Sequence, residues 1–276
     1  MIHIYNISKS YNKKEVLKNI SIDLDNKIYG LLGPNGSGKT TLLRIIAGIL
    51  KSEGKVVFEE SLDEPQIGYL PQKYGVFKEM TIYEQMNYYA ILKKIPKKIR
   101  KENIEDVLLN VNLPDFQIKC GNLSGGMIRR LGIAQTYLGT PDVILLDEPS
   151  VGLDLEERLR FQTILAQSQR NCPIIISTHI VEDVEHICDD IIVLKGGKII
   201  FIGTRQEIKD KANNHTFILD KNTYHHFKEP HYVMKILNDD EQEFYRIICD
   251  SNDLDQYKVD PKLEDGYMYL IKGPFV

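Results

Sequence analysis

The chain has 276 residues, of which 42% are hydrophobic and 27% are charged, the balance of a globular protein with one large domain and at most a small appendage. This composition excludes a disordered chain, and no apolar run approaches the roughly 18 residues that a membrane-spanning helix needs. The net charge is −4, and residues 205–276 hold 10 basic and 14 acidic side chains. No region has the basic excess typical of nucleic-acid-binding proteins, so we expect no nucleic-acid partner.

The amino terminus and the cysteines are typical of a protein from a reducing compartment. Met1–Asn6 shows no basic stretch followed by an apolar core, so we expect no signal peptide. The cysteines lie far apart and form no C-x-x-C pair, which argues against a disulfide framework or a zinc site. They are Cys120, Cys172, Cys188 and Cys249.

Apolar periodicity predicts alternating strands and helices along most of the chain. Alternating residues between Ile2 and Leu24 predict strands, and the apolar run Ile28–Leu32 predicts a short strand that enters a glycine-rich turn. Helical spacing recurs at about Thr40–Leu50, Ile82–Leu92, Ile99–Val111 and Met127–Leu138.

Two continuous apolar runs, Val143–Leu146 and Ile174–Ser177, are typical of strands buried on both faces of a parallel sheet. The polar segment at about Leu155–Gln169 lies between them, as a βαβ crossover requires. Beyond Gly203, one short helix at about Arg205–Ala212 and several brief apolar segments predict a small α+β appendage. The segments are Phe217–Leu219, Tyr232–Ile236, Phe244–Ile248 and Tyr267–Ile271.

A phosphate-binding loop follows the first buried strand. Gly33-Pro34-Asn35-Gly36-Ser37-Gly38-Lys39-Thr40 matches G-x-x-x-x-G-K-[ST] in full. Glycines let backbone N–H groups converge on one anion, and the helix that follows adds its positive end. We expect Lys39 to reach the β- and γ-phosphates and Thr40 to bind Mg²⁺. The competing interpretation, a glycine turn capped by a helix, is disfavoured because motif, strand and helix agree.

Two carboxylates, Asp147 and Glu148, follow the run Val143–Leu146. Ligands of α/β sheets bind at the carboxyl ends of the strands. We expect Asp147 to hold Mg²⁺ through its water shell and Glu148 to orient or deprotonate an attacking water. The alternative, a polar strand end with two solvated acids, is disfavoured downstream of a phosphate-binding loop.

The segment Leu123-Ser124-Gly125-Gly126-Met127 resembles the signature loop of ATP-binding cassette (ABC) ATPases, the nucleotide-binding subunits of ABC transporters. The family's motifs occur in order over about residues 1–205. The resemblance implies a P-loop α/β fold of the ABC type, with a RecA-like core, an antiparallel β subdomain and a helical signature subdomain at about residues 73–140. It implies an ATPase domain over residues 1–204 and an accessory region over residues 205–276, which includes the α+β appendage.

The resemblance also implies roles for single residues. Tyr11 stacks on adenine, because a flat ring needs no hydrogen-bond code, and Asp154 acts across a dimer interface. Each residue taken alone also has a plain structural interpretation, and only their joint order and spacing favour the functional set. The implied ATP contacts are Tyr11, Gly33, Pro34, Asn35, Gly36, Ser37, Gly38, Lys39, Thr40, Thr41, Ser124, Gly125, Gly126 and Asp154, with Thr40, Gln72 and Asp147 at Mg²⁺ and Glu148, His179 and Gln72 catalytic.

The signature-like segment is a second anion site. Ser124 is expected to cap the following helix, and Gly125 and Gly126 expose backbone N–H groups at its positive end. A second anion site beside one phosphate loop implies a second nucleotide-binding chain, and the family arrangement is a head-to-tail dimer around two ATP molecules. Met127 stands where the family usually has Gln and cannot donate a hydrogen bond. We expect activity to survive, because Ser124 and Gly126 carry the γ-phosphate contacts.

Met127 and the stretches Phe77–Glu84 and Ser177–Val184 are similar to the branch of the family that pairs with an ABC-2-type permease on a separate chain. That branch favours export. The resemblance implies a cytoplasmic ATPase subunit, peripheral on the inner face of the cell membrane, that pairs with a second ABC subunit. The alternative is a soluble ABC ATPase acting on ribosomes or DNA. Such proteins carry two cassettes or a long coiled coil, whereas 84 residues without sustained heptads separate Lys39 from Ser124 here.

Three further groups of residues have more than one interpretation. Among the aromatic residues after Gln72, we expect Tyr74 and Phe77 to be exposed as interface anchors; those expected to pack internally are Tyr83, Tyr88 and Tyr89. A basic run is expected to be a solvated helix face rather than a lipid or nucleic-acid site; it comprises Lys93, Lys94, Lys97, Lys98, Arg100 and Lys101. The tail histidines fit no common zinc spacing; they are His215, His225, His226 and His231.

Overall fold

The computed structural model describes residues 1–59, 64–167, 171–239 and 242–275. The chain divides into two compact units. The first unit comprises Met1–Asp189 and Leu194–Ile199, and the second comprises Asp190–Val193 and Ile200–Val276. In the described part of the chain, no helix is long and apolar enough to cross a membrane.

The first unit contains an antiparallel and a parallel set of strands. Strands β1 (Ile2–Tyr11), β2 (Lys14–Leu24) and β4 (Glu53–Phe58) form an antiparallel sheet in the order β2-β1-β4. The parallel strands lie in the order β5-β6-β7-β3; they are β3 (Ile28–Leu32), β5 (Ile67–Leu70), β6 (Val143–Asp147) and β7 (Ile174–Thr178).

Every residue of β3, β6 and β7 is buried, which confirms the prediction of strands covered on both faces. Strands β8 (Asp190–Lys195) and β9 (Lys198–Thr204) contribute residues to both units. The parallel strands end at one edge, where Thr178, Asp147 and the loop after Leu32 lie close together.

The first five helices of the first unit lie where they were predicted, most with shifted ends, whereas the short helix α6 was not predicted. They are α1 (Lys39–Ile46), α2 (Ile82–Leu92), α3 (Lys97–Asn110), α4 (Gly125–Thr136), α5 (Leu155–Gln167) and α6 (Val181–Glu185). The bounds of α2 are as predicted, because Thr81 and Glu84 form a capping box. Helix α1 ends before the predicted Leu50, because Gly48 adopts a φ of 70°. The predicted end of α5 lies outside the described residues.

The predicted solvated basic face is wrong for two of its members. The Lys93 ammonium donates to the Leu138 carbonyl at 2.9 Å, and burial lowers its pKa to about 8. Arg100 donates to the Ile95 carbonyl. Both side chains stabilise the helical region by pairing with backbone oxygens. The remaining members are exposed; they are Lys94, Lys97, Lys98 and Lys101.

The predicted exposure of the aromatic residues is also only partly correct. Phe77 is 47% exposed, as expected. The prediction that Tyr74 is exposed is wrong. Its hydroxyl accepts a hydrogen bond from Gln85 at 3.0 Å, and burial raises its pKa. Tyr88, assigned to packing, is 41% exposed and meets Phe77 edge to face, with ring centroids 5.6 Å apart. The exposed aromatic pair is therefore Phe77–Tyr88.

The second unit is an α+β structure, as predicted. Strands β10 (Thr216–Asp220), β11 (His231–Asp239) and β12 (Gln242–Cys249) form an antiparallel sheet in the order β10-β12-β11. Its helices are α7 (Arg205–Asp210), α8 (Lys221–His226) and α9 (Leu263–Lys272). The apolar segment Tyr267–Ile271 belongs to α9. The buried Arg246 guanidinium pairs with both oxygens of the buried Asp265 carboxylate.

The tail histidines lie in this second unit. His215 pairs with Asp250 at 2.8 Å, and its ring stacks on Tyr269 with centroids 4.4 Å apart. Within the residues that the structure describes, no group of three or more His, Cys, Asp or Glu side chains is placed to hold a metal ion.

His3 joins the three strands of the antiparallel sheet. Its Nδ1 lies 2.6 Å from Asp23 Oδ1, and its Nε2 lies 2.7 Å from Glu59 Oε1. Hydrogen bonds to both carboxylates raise the pKa of His3 above its ordinary value of 6.5. A raised pKa in the folded state means that protonated His3 stabilises the fold. This stabilisation is complete below pH 6.5 and is lost as the pH rises through the folded-state pKa.

We predict that His3→Gln lowers the melting temperature more at pH 6 than at pH 9, because only the imidazolium pairs with both carboxylates. Thermal unfolding followed by circular dichroism across this range measures the difference. His226→Gln is the matched control, since His226 bonds the Asn222 carbonyl instead of a carboxylate. An equal loss at both pH values for His3→Gln would contradict the prediction.

Candidate nucleotide-binding site

The phosphate-binding loop lies between β3 and α1. Gly36 and Gly38 adopt φ values of 77° and 110°, which side chains rarely tolerate. A Cβ atom at Gly33 would lie 2.3 Å from the Leu194 carbonyl oxygen, so that position also requires glycine. The glycines therefore fix the tight path of the loop, and α1 begins at Lys39 directly behind it.

Lys39 is buried and has carboxylates on one side. Its ammonium donates to the Gly33 carbonyl at 2.6 Å and lies 3.8 Å from Glu148 Oε1. Burial lowers the pKa of Lys39, and the charges of Glu148 and Asp147 oppose this shift. A buried ammonium beside a glycine loop is suited to bind an anionic ligand. The negative charge of that ligand would stabilise the ammonium in place of the water it has lost.

Asp147 is fully buried at the end of β6. Its Oδ1 accepts hydrogen bonds from Thr40 Oγ1 at 3.0 Å and Ser177 Oγ at 2.6 Å. Its Oδ2 is buried and has no hydrogen-bond partner among the described residues. A buried carboxylate oxygen without a donor, beside a threonine hydroxyl, fits the oxygen ligands or bound waters of Mg²⁺. The residues present therefore fit the predicted metal position at Thr40, Asp147 and Gln72.

Glu148 and His179 form a close pair. His179 Nδ1 lies 2.9 Å from Glu148 Oε2, and the His179 side chain is 46% exposed while Glu148 is buried. Glu148 has a φ of 50°, a strained conformation for a residue with a side chain. Its N–H donates to the Ser177 carbonyl at 2.9 Å. The strand end thus holds one carboxylate between an imidazole and an ammonium, an arrangement suited to proton transfer.

A cavity of about 570 Å³ collects most of the predicted residues. Those lining it are Tyr11, Asn35, Gly36, Ser37, Gly38, Lys39, Thr40, Thr41, Gln72 and Glu148. Asp147 and His179 adjoin it through their bonds to Thr40 and Glu148. Tyr11 is 44% exposed, and the Lys9 ammonium lies 5.5 Å from the centroid of its ring. The structure therefore brings the predicted phosphate, metal and catalytic residues together.

Several lining residues have no place in the predicted motifs. Four of them belong to β2 and two to a turn; they are Lys14, Glu15, Val16, Lys18, Gly196 and Gly197. The Lys18 N–H donates to the Gly197 carbonyl at 2.8 Å, which holds the turn against β2. The pairing of β1 with β2 is irregular at this point, so strand alternation in the sequence did not reveal these residues.

Six predicted nucleotide contacts do not line this cavity. Gly33 and Pro34 lie in the phosphate-binding loop beside it, where their carbonyls accept from the Lys39 ammonium. The other four lie in separate segments; they are Ser124, Gly125, Gly126 and Asp154. Ser124 is exposed and caps α4, accepting a hydrogen bond from the Met127 N–H at 3.2 Å. A Cβ at Gly125 would meet nothing within 4 Å, whereas a Cβ at Gly126 would lie 2.6 Å from the Glu157 carboxylate carbon, so the start of α4 is open only at Gly125. Asp154 is exposed and caps α5.

Arg129 is a site residue that the motifs do not reveal. It is buried in α4, and its guanidinium donates to the carbonyls of Pro71, Gln72, Pro149 and Glu148. Burial lowers the pKa of Arg129 to about 10, opposed by Asp147 and Glu148. The guanidinium therefore joins the Gln72 loop to the end of β6. Two adjacent arginines, Arg129 and Arg130, within a largely apolar helix were the available sequence signal.

The family model described as ABC transporter matches residues 17–151. An uncharacterised ABC transporter ATP-binding protein, YxlF of Bacillus subtilis, is 36% identical over 224 residues, which cover 79% of this chain and 76% of that protein. The chain belongs to the ABC transporter ATP-binding proteins. As a member of this family it binds and hydrolyses ATP.

Other relatives are named for different transport processes. The linearmycin resistance ATP-binding protein LnrL of Bacillus subtilis is 31% identical, with 79% of this chain and 74% of that protein covered. The spermidine/putrescine import ATP-binding protein PotA of Clostridium acetobutylicum is 36% identical, with coverage of 78% and 64%. The dimeric structure of MJ0796, a bacterial ABC transporter cassette, superimposes with a TM-score of 0.64 at 25% identity over 74% of this chain and 98% of that one.

We predict that Arg129→Gln lowers the free energy of unfolding by about 2 kcal/mol, because buried carbonyls lose their donors. ATP turnover should fall at least about tenfold, since the Gln72 loop and Glu148 lose their common anchor. Urea unfolding and steady-state hydrolysis measure the two effects. Arg100→Gln is the matched control, because its guanidinium pairs with one carbonyl remote from the cavity. Turnover equal in both variants would refute the role.

Proposed function

We propose that the chain is the ATP-hydrolysing subunit of a transporter and powers export through a separate integral-membrane permease. The observation that carries the proposal is the Glu148–His179 pair beside buried Lys39 and Asp147. Glu148 and Lys39 line one cavity, and the other two residues adjoin it. These groups supply a base, a phosphate clamp and a metal position within one site. Transport, rather than action on ribosomes or DNA, is supported by the names of the relatives described above.

Each group has a proposed role that follows from its surroundings. Lys39 and the loop N–H groups hold the phosphates, and Tyr11 stacks on the adenine. Thr40, Asp147 and Gln72 hold Mg²⁺, which supplies charge stabilisation when bound. Glu148 takes the proton of the attacking water, and His179 holds that carboxylate and faces the γ-phosphate. The proposed ATP site comprises all the ATP-binding, metal-binding and catalytic residues that the sequence predicted.

A second ABC subunit completes the site in this proposal. Ser124 and Gly125 are exposed at the start of α4, outside the cavity of their own chain, and Gly126 follows them beside the Glu157 carboxylate. They would serve the nucleotide held by the partner chain, and Asp154 would meet the partner across the interface. The dimeric cassette with a similar fold supports such an assembly. The nucleotide would then bridge the two chains, and hydrolysis would release them.

The membrane partner is proposed to dock on the helical region at about residues 73–140. The exposed Phe77–Tyr88 pair lies there, and aromatic residues are common interface anchors. The subunit would then sit on the cytoplasmic face of the membrane, with residues 1–204 as the ATPase domain and residues 205–276 as an accessory region. The motifs shared with the ABC-2 branch support export. Among the relatives, the protein named for import is 36% identical and the protein named for resistance is 31% identical.

We predict that Glu148→Gln retains ATP binding but slows turnover by roughly 10²–10⁴-fold, because the amide cannot accept the water proton. The variant should accumulate as an ATP-bound dimer in size-exclusion chromatography with light scattering. Glu156→Gln is the matched control, since Glu156 is exposed and pairs with Arg160. Normal hydrolysis by Glu148→Gln would contradict the base assignment.

We predict that affinity purification of the chain from detergent-solubilised membranes recovers a polytopic permease at near-stoichiometric yield. Phe77→Ala with Tyr88→Ala should lose the permease while ATP turnover persists. Tyr5→Ala is the matched control, because Tyr5 is 40% exposed on the antiparallel sheet. Recovery of ribosomal or DNA-associated proteins alone would overturn the transport proposal, and a co-purified solute-binding protein would overturn export.

A further inference from the structure

Asp183 is a buried carboxylate that the proposed ATP chemistry does not use. It lies on α6, four residues after His179, and only 1% of its surface is exposed. A buried charge is costly unless it is paired and hydrogen-bonded. The Asp183 carboxylate binds side chains from three separate segments of the chain, and it therefore connects these segments.

Both oxygens of Asp183 are occupied. Oδ1 accepts from Arg158 Nε, at the start of α5. Oδ2 accepts from Ser150 Oγ, directly after the Glu148-Pro149 pair, and from Thr178 Oγ1 at 3.4 Å. Thr178 in turn accepts from the Ile180 N–H at 3.0 Å, which fixes the backbone on both sides of His179.

The same carboxylate holds both ends of the segment that carries Asp154. Ser150 begins this segment, and its carbonyl accepts from the Leu153 N–H at 3.1 Å. Arg158 ends it, and its N–H donates to the Asp154 carbonyl at 3.0 Å. A displacement of Asp154 is therefore expected to shift Ser150 and Arg158, which both bind Asp183. Asp183 also binds Thr178, the residue before His179.

We infer that Asp183 is a positioning residue that couples Asp154, the proposed contact to a second subunit, to the Glu148–His179 pair. The inference rests on the proposed function. A partner chain that moves Asp154 would change the position of Ser150 and Thr178 through one carboxylate, and so adjust the distance between His179 and Glu148. Asp183 makes no contact with the nucleotide cavity itself.

The test uses Asp183→Asn, which keeps the shape of the side chain but presents a donor to Arg158 or Ser150. We expect kcat to fall about 10- to 100-fold with little change in KM for ATP, since geometry is lost but not the binding loop. Cooperativity in ATP should also fall. Asp265→Asn is the matched control: it breaks the buried ion pair with Arg246 in the second unit and should lower stability without lowering kcat.

A double-mutant cycle with Asp154→Ala separates coupling from a structural role. If Asp183 acts through Asp154, adding Asp183→Asn to Asp154→Ala should lower kcat by less than about threefold. Multiplicative effects, or an unchanged kcat in Asp154→Ala, would overturn the inference. Ser150→Ala keeps the Arg158–Asp183 pair and should lower kcat, whereas Ser150→Thr should restore it; this arm applies if Asp183→Asn fails to fold.

The outcomes also separate this inference from the proposed function. A parent protein that hydrolyses ATP and forms the ATP-bound dimer with Glu148→Gln satisfies the proposed function, whatever Asp183→Asn does. If the parent meets both conditions and Asp183→Asn matches Asp265→Asn in kcat and cooperativity, only the inference fails. A parent without hydrolysis or dimerisation refutes the proposed function first.

Discussion

The adjacent carboxylates of Asp147 and Glu148 impose the constraint on which the rest of the first unit depends. Both are buried at the end of β6, and each buried ion loses several kcal/mol of solvation. The Thr40 hydroxyl donates a hydrogen bond to Asp147, while the Lys39 ammonium and the His179 imidazole lie against Glu148. Because these partners come from the phosphate loop and from the end of β7, the two acids hold three segments at one edge of the sheet.

The charges at this edge are not fully balanced within the chain. Asp147 Oδ2 has no hydrogen-bond donor among the described residues, and burial lowers the pKa of Lys39. The first group would gain from a cation or its water shell, and the second from an anion. A magnesium–nucleotide complex supplies both charges at once. The unbalanced groups are therefore those that the proposed ligand would satisfy, while the balanced groups maintain the fold.

The sequence predicted this edge well because its determinants are local. A glycine loop, a buried strand and a helix start are each encoded within a few residues, and parallel strands bring their ends together. The sequence did not predict the exposure of Tyr74 and Tyr88. Tyr74 lies in the loop before α2 and Tyr88 lies on α2 beside Tyr89, and only tertiary packing decides which rings are covered. Arg129 and Asp183 were missed because most of their partners lie in segments distant in sequence. The partners of Arg129 are backbone carbonyls, which every residue has, so no sequence motif marks them.

Arg129 also explains how a strained residue is kept in place. A φ of 50° at Glu148 costs on the order of 1–3 kcal/mol. The Ser177 carbonyl accepts from its N–H, and Arg129 donates to its carbonyl, so both sides of the strained residue are held. Arg129 lies five residues after Ser124, about 7 Å along α4. One short helix therefore connects the exposed Ser124 cap to the guanidinium that holds the Glu148 carbonyl.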